Sequence, residues 1–162
     1  MALRDCTEVL PIFPLNMVAL PGSSIPLNIF EARYRVLFST LLSGDDDVDE
    51  GLVNPDAAWH GTRTFGMCAV SGQGQMAAVG CTCYIDKHKS WKDGQILIEC
   101  TGKERFVVTE LVQERPIVLC KVDTLEDVDV DISSEVDEKA ESVRERKFYT
   151  ICMSQLLQVF QT

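Results

Sequence analysis

Between residues 65 and 125 the chain repeats one pattern five times: a short run rich in valine, isoleucine, cysteine and aromatics, followed by turn formers. The runs are 65–71, 77–86, 95–100, 105–114 and 117–125. Branched and aromatic side chains suit a pleated, half-buried surface, so each run reads as a strand. Gly72-Gln73-Gly74, Asp93-Gly94 and Thr101-Gly102 supply the permissive backbone that tight connections need. Ile96, Ile98 and Cys100 alternate with Gln95, Leu97 and Glu99, which sets one face of that run toward a core. Five such strands in sequence predict a curled, mostly antiparallel sheet or a partly open barrel.

The segments before this ladder add one strand region and one helix. Residues 9–20 carry Ile12, Phe13, Val18 and Leu20 but also Pro11 and Pro14, whose missing N–H groups forbid a central ladder position; an edge or sheet-crossing strand is expected. Pro21-Gly22 makes a turn. Asn28 is placed to cap a helix over 29–42, with Glu31 three residues on and Phe30, Tyr34, Leu37, Phe38 and Leu41 at helical spacing. Residues 44–64 then turn acidic, with Asp45, Asp46, Asp47, Asp49 and Glu50, and read as a mobile loop insert.

After residue 132 a second helical region is expected over 133–162, opened by Ser134 and Asp137. Its later half is the more apolar, through Phe148, Ile151, Cys152, Leu156, Val159 and Phe160. That face must fold back on the barrel, pair with a second copy to make a homodimer, or meet another protein, because a large exposed apolar patch is unfavourable in a soluble monomer. The expected organisation is one barrel domain over 1–132 and a helical extension over 133–162.

Composition narrows the class of partner. A formal net charge of −10 sets up a field that repels phosphate backbones, so nucleic acid starts at a disadvantage. Seven cysteines, an odd number lying mostly in apolar runs, read as buried free thiols in a reducing compartment. Prolines interrupt the first apolar runs before any signal-peptide core forms, and no stretch approaches the ~20 apolar residues that cross a bilayer. A soluble intracellular protein is expected, cytoplasmic unless a presequence directs it to an organelle, with no membrane partner.

Several chemical motifs fail on their context. Gly72 to Ala77 fits the loosest G-x-G-x-x-A pattern, yet that fingerprint must open a helix, and residues 77–85 read as a strand. Cys81 and Cys83 with the distant His88 do not make the four close-spaced ligands of a structural zinc site. No spacing selects a cysteine to pair with His60 or His88 as a nucleophile, and neither a G-x-x-x-x-G-K-[ST] loop nor a G-x-S-x-G elbow is present. No catalytic residue, metal or cofactor is expected.

Three ordered pieces carry a family likeness: Leu10-Pro11-Ile12-Phe13-Pro14-Leu15, then Leu20-Pro21-Gly22, then Pro26 to Tyr34, reading PLNIFEARY. Phe65-Gly66, Gly80-Cys81, Asp93-Gly94, the run Gly102 to Phe106, Arg115-Pro116 and Leu125-Glu126-Asp127 follow in order. Over about 8–127 the chain resembles the N-terminal substrate-binding domain of Lon-type proteases, in a single-domain form. The acidic insert and Ile117, where an aromatic commonly follows the proline, depart from the pattern.

The resemblance implies a mainly β, PUA-like pseudobarrel of curled antiparallel strands, with one helix after the first strands and a long C-terminal helix. It also implies a non-catalytic module that binds client proteins or docks to a proteolytic or ubiquitin-ligase partner, with proteolysis by these residues alone not expected. On that reading Phe30 and Phe106 fill the core, while Glu31, Arg33 and Arg105 form a network pinning the helix to the barrel, the alternative for these three being a ligand site. Trp59 in the acidic loop and Trp91 beside Asp93-Gly94 are the first candidates for partner contact, with Phe148, Leu156 and Phe160 on the terminal segment; the alternative for both tryptophans is packing on the barrel rim. The competing function is RNA binding, since Lys87, His88, Lys89 and Lys92 cluster around Trp91 as a stacking surface.

Overall fold

The structure, a computed structural model, describes residues 8–126. In chain order these form β1 (Glu8–Leu15), β2 (Ser24–Ile29), helix α1 (Ala32–Leu41), one 3-10 turn at Glu50–Leu52, β3 (Thr64–Val70), β4 (Met76–Ser90), β5 (Ile96–Gln113) and β6 (Val118–Leu125). The sheet order is β2-β5-β4-β3-β1-β6, and an additional β5–β6 pairing joins the far strand back to β5. Five strands thus close a ring, and β2 is a tab on the first half of β5.

Two features of the sequence reading are decided here. The runs 95–100 and 105–114 are one strand, because Thr101-Gly102 does not turn. Gly102 instead lets the backbone of another segment come close: its N–H donates to the Ser23 carbonyl and its own carbonyl accepts from Gly22 N, both at 2.9 Å. A Cβ at Gly102 would overlap the Leu20 carbonyl. β5 is long enough to serve β2 over Ile96 to Thr101 and β6 over Arg105 to Gln113, so Gly102 marks the place where it changes partner.

The other point concerns β1, expected at an edge or crossing the sheet: it takes the crossing place, between β3 and β6, and not the edge. Its first residues pair antiparallel with β6, Pro11 opposite Leu119, and its last pair parallel with β3, Pro14 opposite Cys68. Apart from Ile12, which pairs on both sides, each half of β1 has one neighbour, so a residue without an N–H costs little there. The parallel pair also means that the ring is not antiparallel throughout.

The expected fold class is corrected further at its helices. Only α1 exceeds seven residues among the described residues. No long C-terminal helix is seen; residues 133–162, where it was placed, lie outside the described residues. α1 begins three residues later than the expected 29: Glu31 is its N-cap, with no side-chain cap bond, and Asn28 stays in β2 and donates to Gln95 Oε1 at 2.9 Å. Strand alternation beats helical spacing here. Ile25, Leu27 and Ile29 point inward, and Phe30, next in the alternation, is 65% exposed instead of filling the core.

Two apolar clusters fill the body. The larger lies between α1 and the strands, where Phe13, Tyr34, Phe38 and Phe65 meet edge to face with centroids 4.6–6.4 Å apart. The smaller gathers Leu10, Ile12, Cys68, Cys120 and Val122 around Phe106. Gly66 and Gly80 make room for that ring, since a Cβ at either would come within 3 Å of Phe106 Cζ. Phe106 is 1% exposed, as its place in the core requires.

Candidate recognition face

The connection between β4 and β5 is a tight hairpin. Trp91 N donates to the Gln95 carbonyl and Gly94 N to the Trp91 carbonyl, both at 2.9 Å. Asp93 accepts from Gln95 N and Gln95 Nε2 at 3.1 and 2.9 Å, and Gln95 reaches β2 through Asn28. Gly94 adopts φ +86°, a conformation that side-chain-bearing residues rarely hold. A turn fixed at both its ends leaves Trp91 projecting, 52% exposed, with the Lys89 ammonium 4.9 Å from its ring centroid.

Two more apolar residues are exposed at this end of the sheet. Leu97, 44% exposed, lies between Asn28 of β2 and Lys89 of β4 in the cross-strand register. Phe30 leaves β2 where β2 runs out beside the hairpin. A shallow groove of about 390 Å³ follows the outer face past Pro26, Leu97 and Lys89. On the other side of the hairpin, a cavity of about 260 Å³ opens between α1, the acidic loop and the turn, lined by Arg35, Leu42, Asp47, Trp91, Lys92 and Gly94 among others.

The acidic loop is bound to the body rather than loose. Gly61 N and Arg63 N donate to the carbonyls of Thr40 and Leu41 at the end of α1, and Asn54 N donates to Thr40 Oγ1 at 3.0 Å. Arg63 pairs with Asp45 and donates to the Ile85 carbonyl, and His88 Nε2 lies 3.0 Å from the Asp46 carbonyl. Val48 and Trp59 pack on the larger core cluster. These bonds satisfy backbone groups that a mobile loop would leave to water.

The sequence candidates therefore separate. Trp91 is free on the surface and Trp59 is half-buried against the core, so the two do not share a site. Phe148, Leu156 and Phe160 lie outside the described residues. Glu31 and Arg33 pair with each other at 3.1 Å on the surface, with side chains about half exposed, so they do not act as the expected pin between helix and barrel. Phe30, Leu97 and Arg35 were missed as site residues. The alternation through β2 and β5 already marks Phe30 and Leu97 as outward, whereas nothing in the sequence distinguishes Arg35.

The basic cluster is largely occupied. Lys87 faces Glu99 at 3.8 Å, His88 is turned toward Asp45 and Asp46, and Lys89 covers one face of Trp91. A stacking platform for bases needs an open ring and uncommitted cations, and here only Lys92 is uncommitted.

The described thiols all lie in the interior. Cys68, Cys81, Cys83, Cys100 and Cys120 are free and buried. Burial, followed by the neighbouring Cys120, pushes the Cys68 thiol up to about 12. Hydrogen bonds to Cys100 and Cys81, together with burial, push Cys83 up as well, while the same bonds hold Cys81 and Cys100 below the ordinary thiol range. Among the described residues no group of three or more histidines, cysteines or carboxylates could hold a metal ion, and no helix is long and apolar enough to cross a membrane.

Similarity to known proteins agrees with this arrangement. Residues 9–160 match the family described as the ATP-dependent protease La (LON) substrate-binding domain. The chain is 30% identical over 151 residues to a Lon protease of Cytophaga hutchinsonii, covering 88% of this chain and 16% of that protein. It is 29% identical over 125 residues to Lon protease 2 of Myxococcus xanthus, covering 76% and 14% respectively. The chain thus spans about a sixth of the length of these curated relatives. Among solved structures, a Lon N-terminal domain protein from Xanthomonas campestris superposes with a TM-score of 0.55 at 26% identity, covering 88% of this chain and 74% of that one. A match across nearly the whole sequence, on a closed β ring carrying one helix, shows that this chain belongs to the Lon substrate-binding domain family.

Proposed function

We propose that the chain is a non-catalytic recognition module that binds exposed segments of client proteins and presents them to a proteolytic or ubiquitin-ligase partner. The observation that supports this reading is the group of Phe30, Trp91 and Leu97, three exposed apolar residues gathered at one end of the sheet in a substrate-binding family. Large apolar side chains exposed together on a rigid edge gain free energy when a partner covers them, and aromatics are the commonest anchors of such contacts. The occupied basic cluster and the net charge of −10 weigh against the RNA alternative.

Binding of a fluorescently labelled, permanently unfolded protein would be followed by anisotropy. Trp91→Ala combined with Phe30→Ala is expected to weaken it by ~10-fold or more, on the scale of a lost interface anchor, without changing the melting temperature. Wild-type protein that binds no unfolded chain, or a double variant that binds as well as wild type, would remove this reading.

A further inference from the structure

The cavity beside the hairpin contains a cation that the fold itself leaves unmatched. Arg35 rises from α1 and lays its guanidinium over the turn at Gly94, where any Cβ would overlap it. Its Nε is buried with no hydrogen-bond partner, and no side chain among the described residues forms an ion pair with it. A buried donor left unpaired is unfavourable, so an arginine held in this way is prepared for an acceptor that comes from outside.

The other charges of the cavity define that acceptor. Asp49 is engaged by Gly51 N and Asp93 by Gln95, so both are held in local turns. Asp47, Lys92 and Arg35 remain without side-chain partners among the described residues, and with Asp49 and Asp93 the lining carries three carboxylates against two cations, so Arg35 and not the overall charge would have to hold an anion here. The three aspartates oppose a doubly charged phosphate, whereas a single carboxylate meets a matching planar fork on the guanidinium. Trp91 forms the adjoining wall, where an apolar side chain next to that carboxylate would pack.

We infer that this cavity binds a carboxylate carried by a polypeptide, either a chain's terminal carboxylate or an aspartate or glutamate side chain, with Arg35 as the anion-binding residue and Trp91 as the apolar wall. This inference rests on the recognition reading above and specifies the kind of client segment that the face selects.

The test uses three labelled peptides followed by anisotropy: an apolar hexapeptide with a free C-terminus, the same peptide as its C-terminal amide, and the amide with one internal aspartate. A carboxylate-bearing peptide is expected to bind ~10-fold or more tightly than the plain amide, as for a charge-assisted bidentate contact. Preference for the free C-terminus alone identifies a chain end, and preference for the aspartate alone identifies a side chain. Arg35→Gln should abolish the preference and Arg35→Lys should retain part of it, with melting temperatures confirming that both variants fold. Equal binding of acid and amide, or a preference that survives in folded Arg35→Gln, overturns the carboxylate site. If the plain amide binds as tightly as the acid and Trp91→Ala weakens both, the recognition reading stands without the carboxylate site. If neither the peptides nor an unfolded protein bind, both fall.

Discussion

The acidic loop and the β4–β5 hairpin each carry one tryptophan, and the fold treats them in opposite ways. Trp59 is drawn onto the core because the loop around it is bonded to the end of α1 at Thr40 and Leu41 and to β4 through Arg63. Trp91 is held out because its turn satisfies its own hydrogen bonds and leaves the side chain nothing to lie on but Lys89. A loop aromatic is thus a structural anchor when its flanking backbone docks on the body, and stays exposed to solvent when that backbone is complete in itself.

Three substitutions probe this contrast, and Phe106 sets the scale. Phe106→Ala empties the centre of the smaller core cluster, which Gly66 and Gly80 have been shaped to admit, and should lower the unfolding free energy by ~3–5 kcal/mol in urea titration. Trp59→Ala should cost less, about 2 kcal/mol, because the ring is only half-buried; a loss within about 0.5 kcal/mol would mean that the hydrogen bonds alone hold the loop. Trp91→Ala should shift stability by no more than about 0.5 kcal/mol, as for an exposed residue away from the core. Equal losses at Trp59 and Trp91 would erase the contrast and place Trp91 in the structural framework as well.

Much of the fold was legible because strand periodicity is local. Ile96, Ile98 and Cys100 face inward as their alternation requires, and Phe106 is buried. The errors arose where one residue type serves two purposes. Thr101-Gly102 has the composition of a turn, but the glycine answers to the Leu20 carbonyl, a contact more than 80 positions away that no local pattern encodes. Phe30 fits the helical spacing of Tyr34 and Phe38 equally well as the outward phase of β2, and the strand phase prevails because β2 pairs with β5 up to Ile29. The candidate face was half legible. Trp91 beside Asp93-Gly94 could be picked out as a loop aromatic, but Arg35 acquires its meaning only when α1 and the hairpin meet.

The tab position of β2 has a consequence for the proposed binding of unfolded chains. Apart from this strand, the described sheet closes on itself through β5 and β6, so the outer side of β2 is an open flank. Ile25, Leu27 and Ile29 turn inward, and the N–H groups of the alternate residues Ser24, Pro26 and Asn28 are the ones directed away from β5. Pro26 stands in the middle of that row and has no N–H to offer, so an extended client cannot propagate main-chain bonds past it and add itself as a further strand. On the proposed function, contacts with a client would thereby be confined to side chains, which would keep them reversible and guard against seeding the cross-β stacking that unfolded polypeptides otherwise favour.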